Sequence, residues 1–213
     1  MKQIQKINQL ETLSYFGVDT ISQITDLEGN NLYKNITRWV KQGRLMQLKK
    51  GLYTTNRYYN QLTTKNSYLE FISNKLRYPS YLSLEYVLTK NQVLTESVFV
   101  YTSISQKTTR SYTNNFGTFT YRTISNALFT GFTIIQKEGF AIAIATKAKA
   151  LFDYLYLKLY REALITQQML VELRLNLDEF TAADIQNFSN FCGLSGIKKY
   201  KKLPKLLFAN HDN

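Results

Sequence analysis

Apolar residues recur at helical spacing through the first forty positions and then give way to alternation. Ile4, Ile7, Leu10 and Leu13 lie three apart and predict a helix over residues 2–13 that ends near Tyr15–Gly17. Asp19 or Thr20 can cap a short second helix whose apolar face is Ile21, Ile24 and Leu27. Glu28-Gly29-Asn30 reads as a turn, because Gly29 adopts positive φ at little cost. Asn31 is then placed as the cap of a third helix, Leu32–Gln42, with Leu32, Ile36, Trp39 and Val40 inward and Gly43 as its stop. Arg44-Leu45-Met46-Gln47-Leu48, Lys49-Lys50-Gly51 and Leu52-Tyr53-Thr54-Thr55 follow, the pattern of a β-hairpin with a basic tip.

Beyond it, the polar run Asn56–Thr64 reads as a linker, and a second unit begins. Tyr68–Leu76 is helical in pattern and stops before Pro79, and Ser83 can cap a short helix, Leu84–Lys90. Strand-like runs come next: Ser97–Ile104, Gly117–Ile124, Phe132–Gln136 and Phe140–Ala145. The last two form a hairpin around Lys137-Glu138-Gly139, and the second is apolar enough for the interior of a sheet. Thr146 caps a helix presenting Ala148, Leu151, Phe152, Leu155 and Leu159, and the remainder reads as helix. There Ile165, Met169 and Leu173 share a stripe, and Thr181–Asp184 is a capping-box-like start for a helix carrying Ile185, Phe188 and Phe191. The expected fold class is α+β. It comprises an N-terminal domain over residues 1–60 and a mixed domain over 61–213, with a mostly antiparallel sheet and C-terminal helices.

Charge changes the picture of the first domain. The chain of 213 residues carries 27 basic and 15 acidic side chains, a formal net charge of +12. Between Gly29 and Leu69 there is no acid, while Lys34, Arg38, Lys41, Arg44, Lys49, Lys50, Arg57 and Lys65 contribute eight positive charges. Three short helices and a hairpin in this order make a winged helix-turn-helix, whose third helix enters the major groove of DNA. With Leu32, Ile36, Trp39 and Val40 inward, the opposite face carries Tyr33, Lys34, Thr37, Arg38 and Lys41. Arg38 suits a guanine edge, and Thr37 or Tyr33 a base or a phosphate. Lys34, Lys41, Arg44, Lys49 and Lys50 suit phosphates, which set register and salt dependence. Lys198, Lys199, Lys201, Lys202 and Lys205 form a second basic cluster, which reads as a solvated terminus.

The chemistry of catalysis is sparse. One Cys (Cys192) and one His (His211) exclude a disulfide framework and a nearby His/Cys zinc site, and point to a reducing, cytoplasmic setting. Phosphate-binding glycine loops and a Gly-x-Ser-x-Gly elbow are absent. In the strand region the only acids are Glu96 and Glu138, and Asp153 sits among apolar residues where a structural role fits. No catalytic residue, metal site or cofactor is therefore assigned. The longest wholly apolar run, Phe140–Ala145, is far too short for a membrane span, so no membrane partner is expected.

The stretch Ile36-Thr-Arg-Trp-Val-Lys-Gln-Gly-Arg-Leu-Met-Gln-Leu-Lys-Lys-Gly-Leu-Tyr53 resembles the N-terminal winged helix of AbiEi-family antitoxins. There a recognition helix runs into Gly-x-Leu and a basic Arg/Lys-Gly-x-Tyr wing. Tyr81-Leu-Ser-Leu-Glu-Tyr-Val-Leu88 resembles the family's helix after the linker. Thr146-Lys-Ala-Lys-Ala-Leu-Phe-Asp153 resembles its closing helix, although Ala148-Lys149-Ala150 stands where the family commonly has Glu-Lys-Ala. The likeness covers roughly residues 10–160. It implies a repressor that binds inverted repeats in the promoter of its own toxin–antitoxin operon. It also implies a type IV antitoxin that opposes a nucleotidyltransferase-like toxin, without a stable complex, in phage defence by abortive infection. No residue can be assigned to toxin antagonism. Two other readings stand beside it: a winged-helix regulator with a ligand-binding or dimerisation domain, and a nucleic-acid-cleaving enzyme, against which the missing carboxylate cluster argues.

Overall fold

The computed structural model describes residues 2–95 and 100–209, with side chains from Gln5 onward. The chain folds as two compact units, residues 1–69 with 114–116, and residues 70–113 with 117–213.

In the first unit the helical periodicity becomes α1 (Lys2–Asn8), which tightens into a 3-10 turn over Gln9–Thr12. β1 (Phe16–Gly17), α2 (Val18–Thr25), α3 (Gly29–Lys41), β2 (Leu45–Lys49), β3 (Leu52–Thr55) and α4 (Asn56–Gln61) follow. The strands form an antiparallel sheet in the order β1-β3-β2. Ile7, Leu10 and Phe16 close one core with Ile21, Leu32, Ile36, Trp39, Leu45 and Tyr53, against which Ile24, Leu27 and Val40 pack part-buried.

Element starts differ from the sequence pattern. α2 begins at Val18, before Asp19 and Thr20, with Gly17 as a cap that makes no side-chain bond. α3 begins at Gly29, so Asn31 lies inside its first turn, and Leu32 N–H already donates to Glu28 O at 3.2 Å. Leu13 follows the 3-10 turn in extended geometry, which carries it off the helical face and leaves it exposed. The expected linker is in part a helix: Thr55 Oγ1 caps α4 by accepting Tyr58 N–H at 3.0 Å.

The second unit's elements are α5 (Lys65–Leu76), which contains the boundary, then β4 (Ser80–Leu82), α6 (Leu84–Lys90), β5 (Val100–Ser105), β6 (Arg110–Asn114), β7 (Gly117–Thr123), β8 (Phe132–Lys137) and β9 (Phe140–Ala145). α7 (Lys147–Lys158), α8 (Gln167–Glu172), α9 (Ala182–Leu194) and α10 (Leu203–Phe208) complete it. Six strands form one sheet in the order β6-β7-β5-β4-β9-β8. It is antiparallel at β4·β5 and β8·β9 and parallel at β5·β7 and β4·β9, so the chain as a whole is α+β with mostly antiparallel pairing. β9 is interior, as its apolar run required. β4 and β6, short or polar, had no apolar signal to announce them. Ser97–Phe99 of the expected strand, Glu96 and His211 lie outside the described residues.

Helix caps repeat the contrast between local and distant partners. Thr146 Oγ1 accepts Lys149 N–H at 3.2 Å, and Thr181 and Asp184 form a reciprocal capping box at 3.1 and 3.2 Å. Ser83 precedes α6 but does not cap it; its hydroxyl donates to Asp153 instead. α8 spans only six residues and buries Leu170; of the expected stripe, Met169 lies in it and Ile165 and Leu173 flank it, all three half-buried. Among the described residues, no helix is long and apolar enough to cross a membrane.

Candidate nucleic-acid interface

α3 is held from inside and closed at its end. Leu32, Ile36 and Trp39 are buried, all 4% exposed or less. At about 100° of rotation per residue, Tyr33, Thr37, Lys41, Lys34 and Arg38 occupy an arc of about 140° that excludes all three. All five are exposed. The helix stops in a Schellman arrangement: Arg44 N–H donates to Trp39 O and Gly43 N–H to Val40 O, both at 2.9 Å, with Gly43 at φ 69°. That closure fixes the direction in which the chain leaves α3 for the hairpin.

The hairpin owes its shape to a register shift. Leu45 and Leu48 are both buried although three residues apart, which strict alternation forbids. The β2–β3 register shifts between Gln47 and Lys49, so Leu48 returns to the core side. Lys50 and Gly51 make the tip, with Gly51 at φ 80°, where a side chain would strain the turn. Arg44 and Lys50 are exposed and Lys49 is half-buried. Burial raises the Tyr53 phenol above its ordinary range; a backbone hydrogen bond at Gly51 opposes this, and the neighbouring Tyr33 adds to it.

Among the described residues, no carboxylate pairs with Lys34, Arg38, Lys41, Arg44 or Lys50. Two acids of this unit pair with other cations: Asp26 with Lys6, and Glu11 with Arg57 at 3.2 Å. Two contributors to the face escaped the sequence reading. Asn35 Oδ1 accepts from Arg38 Nη2 at 2.6 Å, while Asn35 Nδ2 donates to Asn31 O and Oδ1 at 2.9 and 3.0 Å. The i, i+4, i+7 spacing of Asn31, Asn35 and Arg38 was visible in the sequence. Thr37 Oγ1 donates to Tyr33 O at 2.9 Å, which leaves its oxygen an acceptor toward solvent. The other contributor was invisible: the turn 114–116 supports the hairpin. Asn114 Nδ2 donates to Leu48 O at 2.8 Å, and Phe116 packs edge-on against Tyr59 at 4.6 Å. No local pattern announces a partner 66 residues away.

The second unit's ionisable groups are arranged otherwise. Lys149 and Asp153 are wholly buried one helical turn apart, with Nζ–Oδ1 at 2.5 Å. Asp153 Oδ2 also accepts from Ser83 at 2.8 Å and Tyr81 at 3.0 Å. The rings of Phe152, Phe191 and Tyr81 surround the ammonium at 4.9, 5.4 and 5.9 Å. Burial lowers Lys149 and raises Asp153, and their mutual attraction opposes both shifts. Gly131 seals one side, since a Cβ there would collide with the Phe191 ring. Glu70, also fully buried, accepts from Tyr86 at 2.7 Å and Lys90 at 2.5 Å, with Lys137 at 3.7 Å. Of the C-terminal basic cluster, Lys199 donates to three carbonyls, Leu159 and Tyr160 at 2.8 Å and Glu162 at 2.6 Å. It therefore closes the end of α7. Burial pushes the Cys192 thiol up to about 12, so it stays protonated. Among the described residues, no group of three or more His, Cys, Asp or Glu is placed to hold a metal ion.

No family model and no curated protein matches this chain.

Proposed function

We propose that the first unit is a winged helix-turn-helix that binds duplex DNA and makes the protein a transcriptional repressor. The observation that carries this reading is the exposed row of Lys34, Arg38, Lys41, Arg44 and Lys50, with which no carboxylate pairs among the described residues. The order helix, strand, two helices, hairpin, with the short first strand on the sheet, supports the fold assignment. In this reading α3 lies in the major groove. Arg38, steadied by Asn35, donates to a guanine edge. Tyr33 and Thr37 touch bases or phosphates, while Lys34, Lys41, Arg44, Lys49 and Lys50 hold the backbone.

The resemblance of residues 36–53, 81–88 and 146–153 to AbiEi-family antitoxins supports a fuller role: repression of its own operon and antagonism of a nucleotidyltransferase-like toxin. Tyr81, Ser83, Lys149 and Asp153 from the latter two stretches meet in one sealed cluster. We read them as residues that specify the fold, and they leave toxin antagonism unassigned. A cluster with no exposed atom on its lysine or carboxylate offers a substrate nothing to touch.

Anisotropy against duplex DNA from upstream of the coding sequence tests the first half. The parent is expected to bind that duplex more tightly than a scrambled one at matched salt. An Arg38→Ala/Lys50→Ala pair that binds as well as the parent overturns the site. Co-expression tests the second: a neighbouring toxin that still kills in the presence of this chain overturns the antitoxin role. Cleavage of nucleic acid with magnesium or manganese overturns the non-enzymatic reading.

A further inference from the structure

The six-stranded sheet ends in two unlike edges. β6 starts with Arg110 and is polar to Asn114, the kind of edge that resists pairing. β8 reads Phe-Thr-Ile-Ile-Gln-Lys, with no charge before Lys137, no proline and an unbroken register of six pairs on β9. Lys137 itself faces Glu70 of its own chain at 3.7 Å. Ile134, at the middle of β8, is 68% exposed; of the large apolar side chains exposed among the described residues, it alone lies in a strand.

Two bonds show which backbone groups this edge offers. In an antiparallel ladder both groups of a residue point the same way, and direction alternates along the strand. Ala143 N–H donates to Asn74 Oδ1 at 2.8 Å and Ala143 O accepts from Asn74 Nδ2 at 3.2 Å, so Ala143 faces away from β8. Its register partner Ile134 then faces away from β9, as do Phe132 and Gln136. Thr146 N–H donating to Gly131 O at 3.2 Å fixes the same parity from the other end of the hairpin. Among the described residues, no backbone bond outside the β8–β9 ladder engages residues 132–137.

We propose that two copies of this chain pair through β8, antiparallel, with Ile134 on the two-fold axis. The occupant is a second copy because the edge is complementary to itself. Outward-facing Ile134 bonds the partner's Ile134, and Phe132 bonds the partner's Gln136. Thr133 stands opposite the partner's Ile135, and no charge meets a like charge. The contact is isologous and closes at two chains, joining the two sheets into one of twelve strands.

Sedimentation of the full chain from about 1 to 100 µM tests this without DNA, so its outcome is separate from that of the DNA-binding reading. The parent is expected to reach twice the chain mass. Ile134→Lys is expected to keep the parent's circular dichroism, since the position is exposed, and to weaken the dimer at least about tenfold by setting two ammonium groups opposite each other. A hydrogen-bonded pair places Cα atoms about 5.5 Å apart, within disulfide reach. Ile134→Cys is therefore expected to cross-link two chains on mild oxidation, and Thr133→Cys is not. A parent that stays monomeric, an Ile134→Lys variant as dimeric as the parent, or cross-linking through Thr133→Cys as readily as through Ile134→Cys overturns the proposal.

Discussion

The two units use their lysines and arginines in opposite ways. In the first, Lys34, Arg38, Lys41, Arg44 and Lys50 stand in solvent without a carboxylate among the described residues. In the second, Lys149 is wholly buried against Asp153, Lys90 and Lys137 flank buried Glu70, and Lys199 closes a helix. Net charge hides this difference. An exposed cation contributes little to stability and remains available to a polyanion. A buried one is committed to its partner, and losing either member leaves an uncompensated charge. The same residue type is therefore left in solvent in one region and committed to the fold in the other.

The sharpest way to break that contrast is at Lys149. Lys149→Met leaves Asp153 buried without its counter-charge and is expected to cost about 3–5 kcal/mol in urea unfolding. A Lys149→Met/Asp153→Leu double variant is expected to recover much of this, because two apolar side chains need no partners. If Lys149→Met unfolds like the parent, the buried pair does not govern this unit's stability.

Lys199→Met comes next. Three carbonyls at the end of α7 lose their donor, and a cost of about 1–3 kcal/mol is expected in the same assay. An equal loss from Lys202→Met, whose side chain is exposed, would erase the distinction between structural and solvated lysines.

The converse holds on the first unit. On the proposed DNA-binding reading, Arg38→Ala is expected to weaken binding to the upstream duplex by about 1–3 kcal/mol and leave the melting curve in place. Lys34→Ala/Lys41→Ala/Lys50→Ala is expected to weaken all duplexes alike and flatten the slope of log K against log salt by about 3. Destabilisation of the free protein by these substitutions would place the basic face in the fold and not in recognition.

The smallest effect is at Asp184. Burial works to raise its carboxyl. The Thr181 backbone N–H, the Lys147 ammonium and the Thr181 hydroxyl together hold it below the usual range. A carboxylate lowered in the folded state contributes stability above its ordinary range and loses it as pH falls through the folded value. Asp184→Asn is expected to remove that acid-side loss and about 0.5–1 kcal/mol at neutral pH, the scale of a helix cap. Melting at pH 7 and pH 3 measures both, and an unchanged pH dependence would free Asp184 of this role.

Much of the first unit was legible because its information is local. The inward faces of α2 and α3, the Gly43 stop and the Gly51 tip follow from periodicity and from φ > 0 positions. Starts were read less well. Asn31 and Asp19 are good cap residues in isolation, yet backbone geometry at Glu28 and Gly17 began the helices earlier. The polar run after Thr55 looked like a linker because Asn and Gln hide a helix that Thr55 itself caps. In the second unit β4 and β6 went unread, since neither three residues nor a polar run produces a hydrophobic period.

By itself the sequence determined which residues turn inward on α2, α3 and α7, where the hairpin turns fall, and that an acid-free basic stretch coincides with a helix and a hairpin. Those properties depend on neighbours three or four positions away. Only the tertiary structure decided which polar groups meet. Asp153 finds Tyr81 and Ser83 across 72 and 70 residues, Lys199 finds the end of α7, and Asn114 finds the hairpin. It also decided that β8 stands at the sheet's edge. Such pairings are set by topology: a buried polar group must find a partner, and the fold decides which residue stands within reach.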